Sequence, residues 1–219
     1  MIIVLGGIKG GAGKSTIAAN LAVRRAADVS NVLLIDGDEQ ETTTLWSATR
    51  QETASERTPG LTCIQRRGKA ARTEVLKLAP NYSDVVIDVG GRDTTTQRAA
   101  LTTADVVLLP TPPRGPDVWT LDKVAALIEE VRAVNPALRA WAFLNRADPI
   151  GRDNEDAARI IAETSGIELI EARVGNRKAF PAAHTQGLAV TETVPSDPKA
   201  ISELDQLYSY CFGTNPVRS

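Results

Sequence analysis

Five residues from its start the chain reads GGIKGGAGKST, residues 6–16, and no other stretch limits the fold as much. An apolar run, Ile2–Leu5, leads straight into it. Residues 15–27 follow with Ile17, Ala18, Leu21 and Ala22 on one helical face. A strand, a glycine loop and a helix therefore succeed one another within 27 residues. Gly10, Gly11 and Gly13 let the backbone curl until successive N–H groups converge on one point. The helix opening near Gly13 adds the positive end of its dipole. Such a loop is built to hold phosphate, with Lys14 at hand for its oxygens.

The same rhythm continues along the chain. Short apolar runs recur at 32–35 (VLLI), 61–64 (LTCI), 85–87 (VVI), 106–109 (VVLL) and 141–144 (WAFL), with IELI at 167–170 as a weaker seventh. They are continuously apolar rather than alternating, as strands buried on both faces are. Helix-like segments lie between them at 117–134, 154–165 and 198–210. Asp117 is the expected cap of the first and Asp197, followed by Pro198, of the last. Residues 47–60 read as a helix end and exposed loop. Strands alternating with helices predict an α/β fold, a doubly wound, mostly parallel sheet with helices on both faces. No repeat or linker interrupts it, so residues 1–219 are expected to form one domain.

Composition narrows the function classes. A formal net charge of -2 gives the whole molecule no pull on nucleic acid, so any such role needs a local basic patch. Two distant cysteines, Cys63 and Cys211, indicate neither zinc site nor disulfide framework and are expected to be packing residues. A single histidine, His184, argues against histidine-based acid–base chemistry. No run is long enough for a membrane span, and a cytoplasmic location is expected.

In a nucleoside triphosphatase, Lys14 would bridge the β- and γ-phosphates. Ser15 would ligate Mg²⁺ and Thr16 would sit near the α-phosphate. Asp36 and Asp38, in VLLIDGDEQ, stand at the carboxyl end of a strand, where ligands of open α/β sheets gather. There they could hold Mg²⁺ through water and orient an attacking water. Asp88, in DVVIDVGGRD, follows another buried strand and is the expected Mg²⁺ aspartate. Gly90 and Gly91 would let the backbone approach the γ-phosphate.

The common spacing G-x-x-x-x-G-K-[ST] needs glycine at position 8, where Ile8 stands. What stands instead, K-G-G-x-G-K-S-T from Lys9 to Thr16, resembles the deviant Walker A motif of the ParA/MinD family of dimeric ATPases. The resemblance implies a homodimer with ATP and Mg²⁺ sandwiched between subunits, a nucleotide cradle of Gly10, Gly11, Ala12, Gly13, Lys14, Ser15, Thr16 and Gly91, and a Lys9 that reaches the partner's phosphates. It makes Asp38 the first choice to position water and Asp36 the second, although Glu39 stands where the family has proline. It also implies an adenine contact for Asn145, base packing for Pro195, and a dimer-interface helix after PTPPRGPDVW.

Among the members, the chain resembles the small ParA-type partition or positioning ATPases. Its first strand begins at residue 2, its last helix lacks basic character, and it has no cysteine pair. That resemblance implies nonspecific DNA as a partner, nucleoid association, and a centromere-binding or other adaptor that stimulates hydrolysis. Arg173, Arg177 and Lys178 are the candidate DNA contacts. The expected function is a switch that segregates a plasmid or chromosome. Positioning of a carboxysome-like assembly, or metabolic phosphoryl transfer on the same fold, are the alternatives.

Overall fold

A computed structural model describes residues 1–29, 31–53, 60–91, 94–115 and 119–213. Seven strands form one sheet: β1 (Ile2–Leu5), β2 (Val32–Asp36), β3 (Thr62–Gln65), β4 (Asp84–Asp88), β5 (Val106–Thr111), β6 (Arg139–Ala147) and β7 (Glu168–Gly175). Their order is β3-β2-β4-β1-β5-β6-β7, and every neighbouring pair is parallel. The helices are α1 (Lys14–Asp28), α2 (Thr42–Thr53), α3 (Ala70–Leu78), α4 (Thr95–Leu101), α5 (Leu121–Arg132), α6 (Asp153–Glu163), α7 (Ala179–Thr185) and α8 (Pro198–Phe212).

Successive strand side chains point to opposite faces, and each face buries its own core. Ile3 and Leu5 of β1 pack with Ile17 and Leu21 of α1 and Leu204 and Leu207 of α8. Val4, between them, packs in the opposite layer with Leu101 of α4, Ile128 of α5 and Ile161 of α6. This is the two-sided covering that the continuous apolar runs predict.

The departures fall at the edges. IELI is only the first half of β7, which runs on to Gly175. As an edge strand it buries one face, through Ile170, Ala172 and Val174, so its pattern alternates and lacks a long apolar run. The opposite edge, β3, is half exposed. Asp197 caps α8 as expected, accepting from the backbone N–H groups of Lys199 and Ala200 at 3.1 Å. Asp117 lies outside the described residues, as do 54–59 of the expected loop. Among the described residues no helix is long and apolar enough to cross a membrane.

Candidate nucleotide-binding site

The strands β1, β2 and β4 are adjacent, so the loops leaving their carboxyl ends share one rim. The β1–α1 loop is the phosphate loop. Gly13, at φ +90°, caps α1 in a left-handed conformation that favours glycine. A Cβ there would lie 2.5 Å from Nδ2 of Asn145. Lys14 is buried and its Nζ donates to the carbonyl of Lys9 at 3.0 Å. Burial holds its pKa below the ordinary lysine value, while the nearby Asp88 and Asp38 pull the other way.

Asp88 ends β4 fully buried. Its Oδ2 accepts from the Thr43 hydroxyl at 2.7 Å, and the Ser15 hydroxyl lies beside the carboxylate and favours its charged form. Its Oδ1 has no protein partner. Desolvation pushes its pKa up to about 7, against the help of Ser15 and Thr43; neighbouring Asp36 adds to the rise. A buried, orphaned carboxylate oxygen beside a serine hydroxyl is an oxygen donor set suited to Mg²⁺ with its shell of water. Ser15 and Asp88 therefore fit that ion.

Asp36 is used differently from the expectation. Its Oδ1 accepts from the N–H of Asp38 at 3.0 Å, and its Oδ2 from both the N–H and the hydroxyl of Thr44 at 2.7 Å. Both oxygens are engaged by the turn and by the first turn of α2, so this carboxylate anchors the loop that carries Asp38. Asp38 itself has one oxygen on the N–H of Gln40 and otherwise faces the hollow. Gly90 and Gly91 close the far wall. A Cβ on Gly90 would lie 3.0 Å from Oδ1 of Asp38, and one on Gly91 only 2.5 Å from the backbone nitrogen of Gly10.

These residues enclose a cavity of about 560 Å³, lined by Gly10, Gly11, Gly13, Lys14, Ser15, Thr16, Asp38, Gly90 and Gly91. Lys9 is not in that lining. It borders a separate small hollow, with Thr111, Pro112 and Leu121, on the flank of the loop. Ala12, also on that flank, gives its carbonyl to Asn145.

Asn145 ends β6 beside the phosphate loop, yet its Nδ2 donates 2.6 Å to the carbonyl of Ala12. It buttresses the loop with the amide that was expected on the adenine edge. It also borders a second cavity of about 220 Å³, shared with Arg146, Asn176, Arg177 and Phe180. Pro195 is exposed and lines neither cavity. Arg177 is held bidentate by Glu203, at 2.7 and 2.8 Å, and so differs from the open cation expected for DNA. Arg173 and Lys178 are exposed.

Three participants escaped the sequence reading. Arg146 lines both cavities at φ 56°, and Thr43 and Thr44 secure the two buried aspartates. A run of three threonines just after the DGDEQE turn was the available signal. His184 lines the larger cavity, stacked on Trp46, and burial lowers its pKa.

Residues 3–190 match the model of the CobQ/CobB/MinD/ParA nucleotide-binding domain. The chain belongs to that family. It is 34% identical over 200 residues, 88% of this chain and 84% of the relative, to "Maintenance of carboxysome distribution protein A" of Gloeobacter kilaueensis. The protein of the same name from Halothiobacillus neapolitanus is 26% identical over 207 residues, 94% and 93% of the two chains. In fold it resembles a solved ATP complex of McdA from Cyanothece, with a TM-score of 0.76 at 15% identity, covering 98% of this chain and 96% of that one. A ParA/MinD-type nucleotide-binding domain thus accounts for the phosphate loop, the parallel sheet and the carboxylates at its rim.

Proposed function

We propose that this chain is an ATP-driven positioning switch. It dimerises around ATP, rests on DNA in that state, and hydrolyses ATP when an adaptor on a large cargo meets it. The observation that carries the reading is the division of labour between two lysines. Lys14 points into its own cavity toward Asp88 and Asp38, while Lys9 borders a hollow outside it. That Lys9 lines a hollow other than its own phosphate site supports a role toward a second copy.

In this reading Gly10, Gly11, Gly13 and the start of α1 hold the phosphates through backbone N–H groups, with Lys14 across the β- and γ-oxygens. Ser15 and Asp88 would hold Mg²⁺, which would neutralise phosphate charge. Asp38, fixed by the anchored Asp36, orients water toward the γ-phosphorus. The partner subunit's Lys9 stabilises charge that spreads over the γ-phosphoryl oxygens, so turnover waits on dimerisation. Gly91, packed on the Lys9–Gly10 backbone, reads whether a γ-phosphate is present.

The names of the two relatives favour a carboxysome-like protein assembly as cargo over a plasmid or chromosome. The test is binding of purified protein to random-sequence duplex DNA with ATP·Mg²⁺ and with ADP, across a salt series. Binding with ATP alone, weakening steeply as salt rises, is the expected result. Equal binding with both nucleotides, or none, would remove the DNA tether from the account.

A further inference from the structure

Glu203 occupies Arg177, one of the three cations expected to contact DNA, and the acid Glu171 lies exposed on the same strand as Arg173. The strongest concentration of positive charge lies at the opposite edge of the sheet. Residues 66–77, RRGKAARTEVLK, hold five basic side chains against one acid, four net positive charges in a chain whose total is -2. They form the turn after edge strand β3 and the helix α3.

Their placement is orderly. Ala71 and Val75 bury the inner face of α3. Lys69, Arg72 and Lys77 are exposed on its outer face, within about 140° of one another at 100° per residue. Among the described residues these three have no ion-pair partner. Arg66 pairs with Glu74, and Arg67 with Glu41 at 2.7 Å, so two further charges stand at the base of the same surface with their acids.

The turn also touches the nucleotide cavity. The N–H of Arg66 donates to the carbonyl of Asp36 at 2.9 Å, and that of Gly68 to the hydroxyl of Thr96 at 2.8 Å. Thr96 lines the larger cavity with Gly37 and Asp38. Glu41, which holds Arg67, closes the turn that begins at Asp38, with its own N–H donating to the Asp38 carbonyl at 3.3 Å. The basic turn is thus hydrogen-bonded to residues of the cavity wall.

We propose that the outer face of α3 and the turn before it, through Lys69, Arg72 and Lys77 with Arg66 and Arg67 behind them, is the surface that takes the phosphate backbone of duplex DNA. Sequence-independent binding needs a row of exposed cations and no base-reading groups, and this face offers that. The inference rests on the DNA-tethered reading above.

The experiment follows the anisotropy of a labelled random-sequence duplex against salt, with ATP·Mg²⁺. The arms are wild type, the triple variant Lys69→Ala, Arg72→Ala, Lys77→Ala, and the pair Arg173→Ala, Lys178→Ala. The triple variant is expected to flatten the slope of log affinity against log salt by about 2 to 3 and to weaken binding at least about tenfold at moderate salt. Its thermal midpoint and basal ATP turnover stay at wild-type values, and the pair variant changes little. A pair variant that loses binding while the triple variant keeps it would overturn the assignment and leave the tether intact. Wild type that binds no duplex in either nucleotide state would overturn both. Wild type that holds poly-glutamate and no duplex would assign the face to an acidic protein instead.

Discussion

Asp88 carries its burial as a titration. An acid whose folded pKa is raised, from 3.8 to about 7, takes up protons on folding between those values. Its contribution therefore makes the nucleotide-free fold less stable as pH rises from about 4 to about 7, and is flat above. Mg²⁺ needs the ionised form. Magnesium-dependent nucleotide affinity should thus rise about tenfold from about pH 6 to about pH 8, following the ionised fraction around the folded pKa. Calorimetric titration with and without a chelator would show this, and Asp88→Asn should flatten it. Gly91 is the other sensitive position. With a Cβ 2.5 Å from the Gly10 nitrogen and 2.7 Å from the Lys9 carbonyl carbon, Gly91→Ala must push the switch segment off the phosphate loop. Overpacking of this kind costs about 1–3 kcal/mol. Nucleotide affinity should fall about tenfold or more and the thermal midpoint should drop by several degrees; unchanged affinity would show that the two backbones need not touch.

At the scale of elements, α2 ties the turn after β2 to the segment that follows α7. Arg50 of α2 is buried and bidentate on Glu192, at 2.7 and 2.8 Å, and it also donates to the carbonyl of Gly187 at 3.1 Å. Glu192→Ala removes the bidentate acid from that buried guanidinium, and should lower unfolding stability by about 3 kcal/mol in urea titration. Here the limits of the sequence are plain. The central strands and α1 were legible because burial on both faces or on one helical stripe writes a period into the chain. The phosphate loop was legible because its glycines and Lys14 are contiguous in the chain. Pairs such as Arg50–Glu192, Arg177–Glu203 and Asn145 with the Ala12 carbonyl join residues brought together only by the fold. Nothing local in the sequence marks them, so Arg177 and Asn145 looked available for ligands. The basic run at 66–77 was visible in the sequence throughout; what the structure adds is its exposure and its contact with the cavity wall.

For the whole molecule, the rim that bears the phosphate loop also bears exposed apolar side chains. Trp119 precedes α5 with 74% of its surface exposed, and Ile150, in the turn after β6, is 88% exposed. Both follow strands whose carboxyl ends form that rim. Large aromatic groups at such a site are common anchors of interfaces, where truncation costs about 2 kcal/mol or more. Trp119→Ala should therefore weaken ATP-dependent self-association about thirtyfold in sedimentation equilibrium and leave the affinity of one chain for nucleotide intact. In the proposed switch ATP makes two chains one enzyme, with Lys9 supplied across the interface. The direct measurement is light-scattering mass with ATP·Mg²⁺ and with ADP, paired with turnover, for wild type and Lys9→Ala. Mass is expected to double with ATP alone, and the Lys9→Ala protein to bind nucleotide yet lose turnover. A wild type that hydrolyses ATP as a monomer, or a Lys9→Ala protein with undiminished turnover, would contradict the proposed switch.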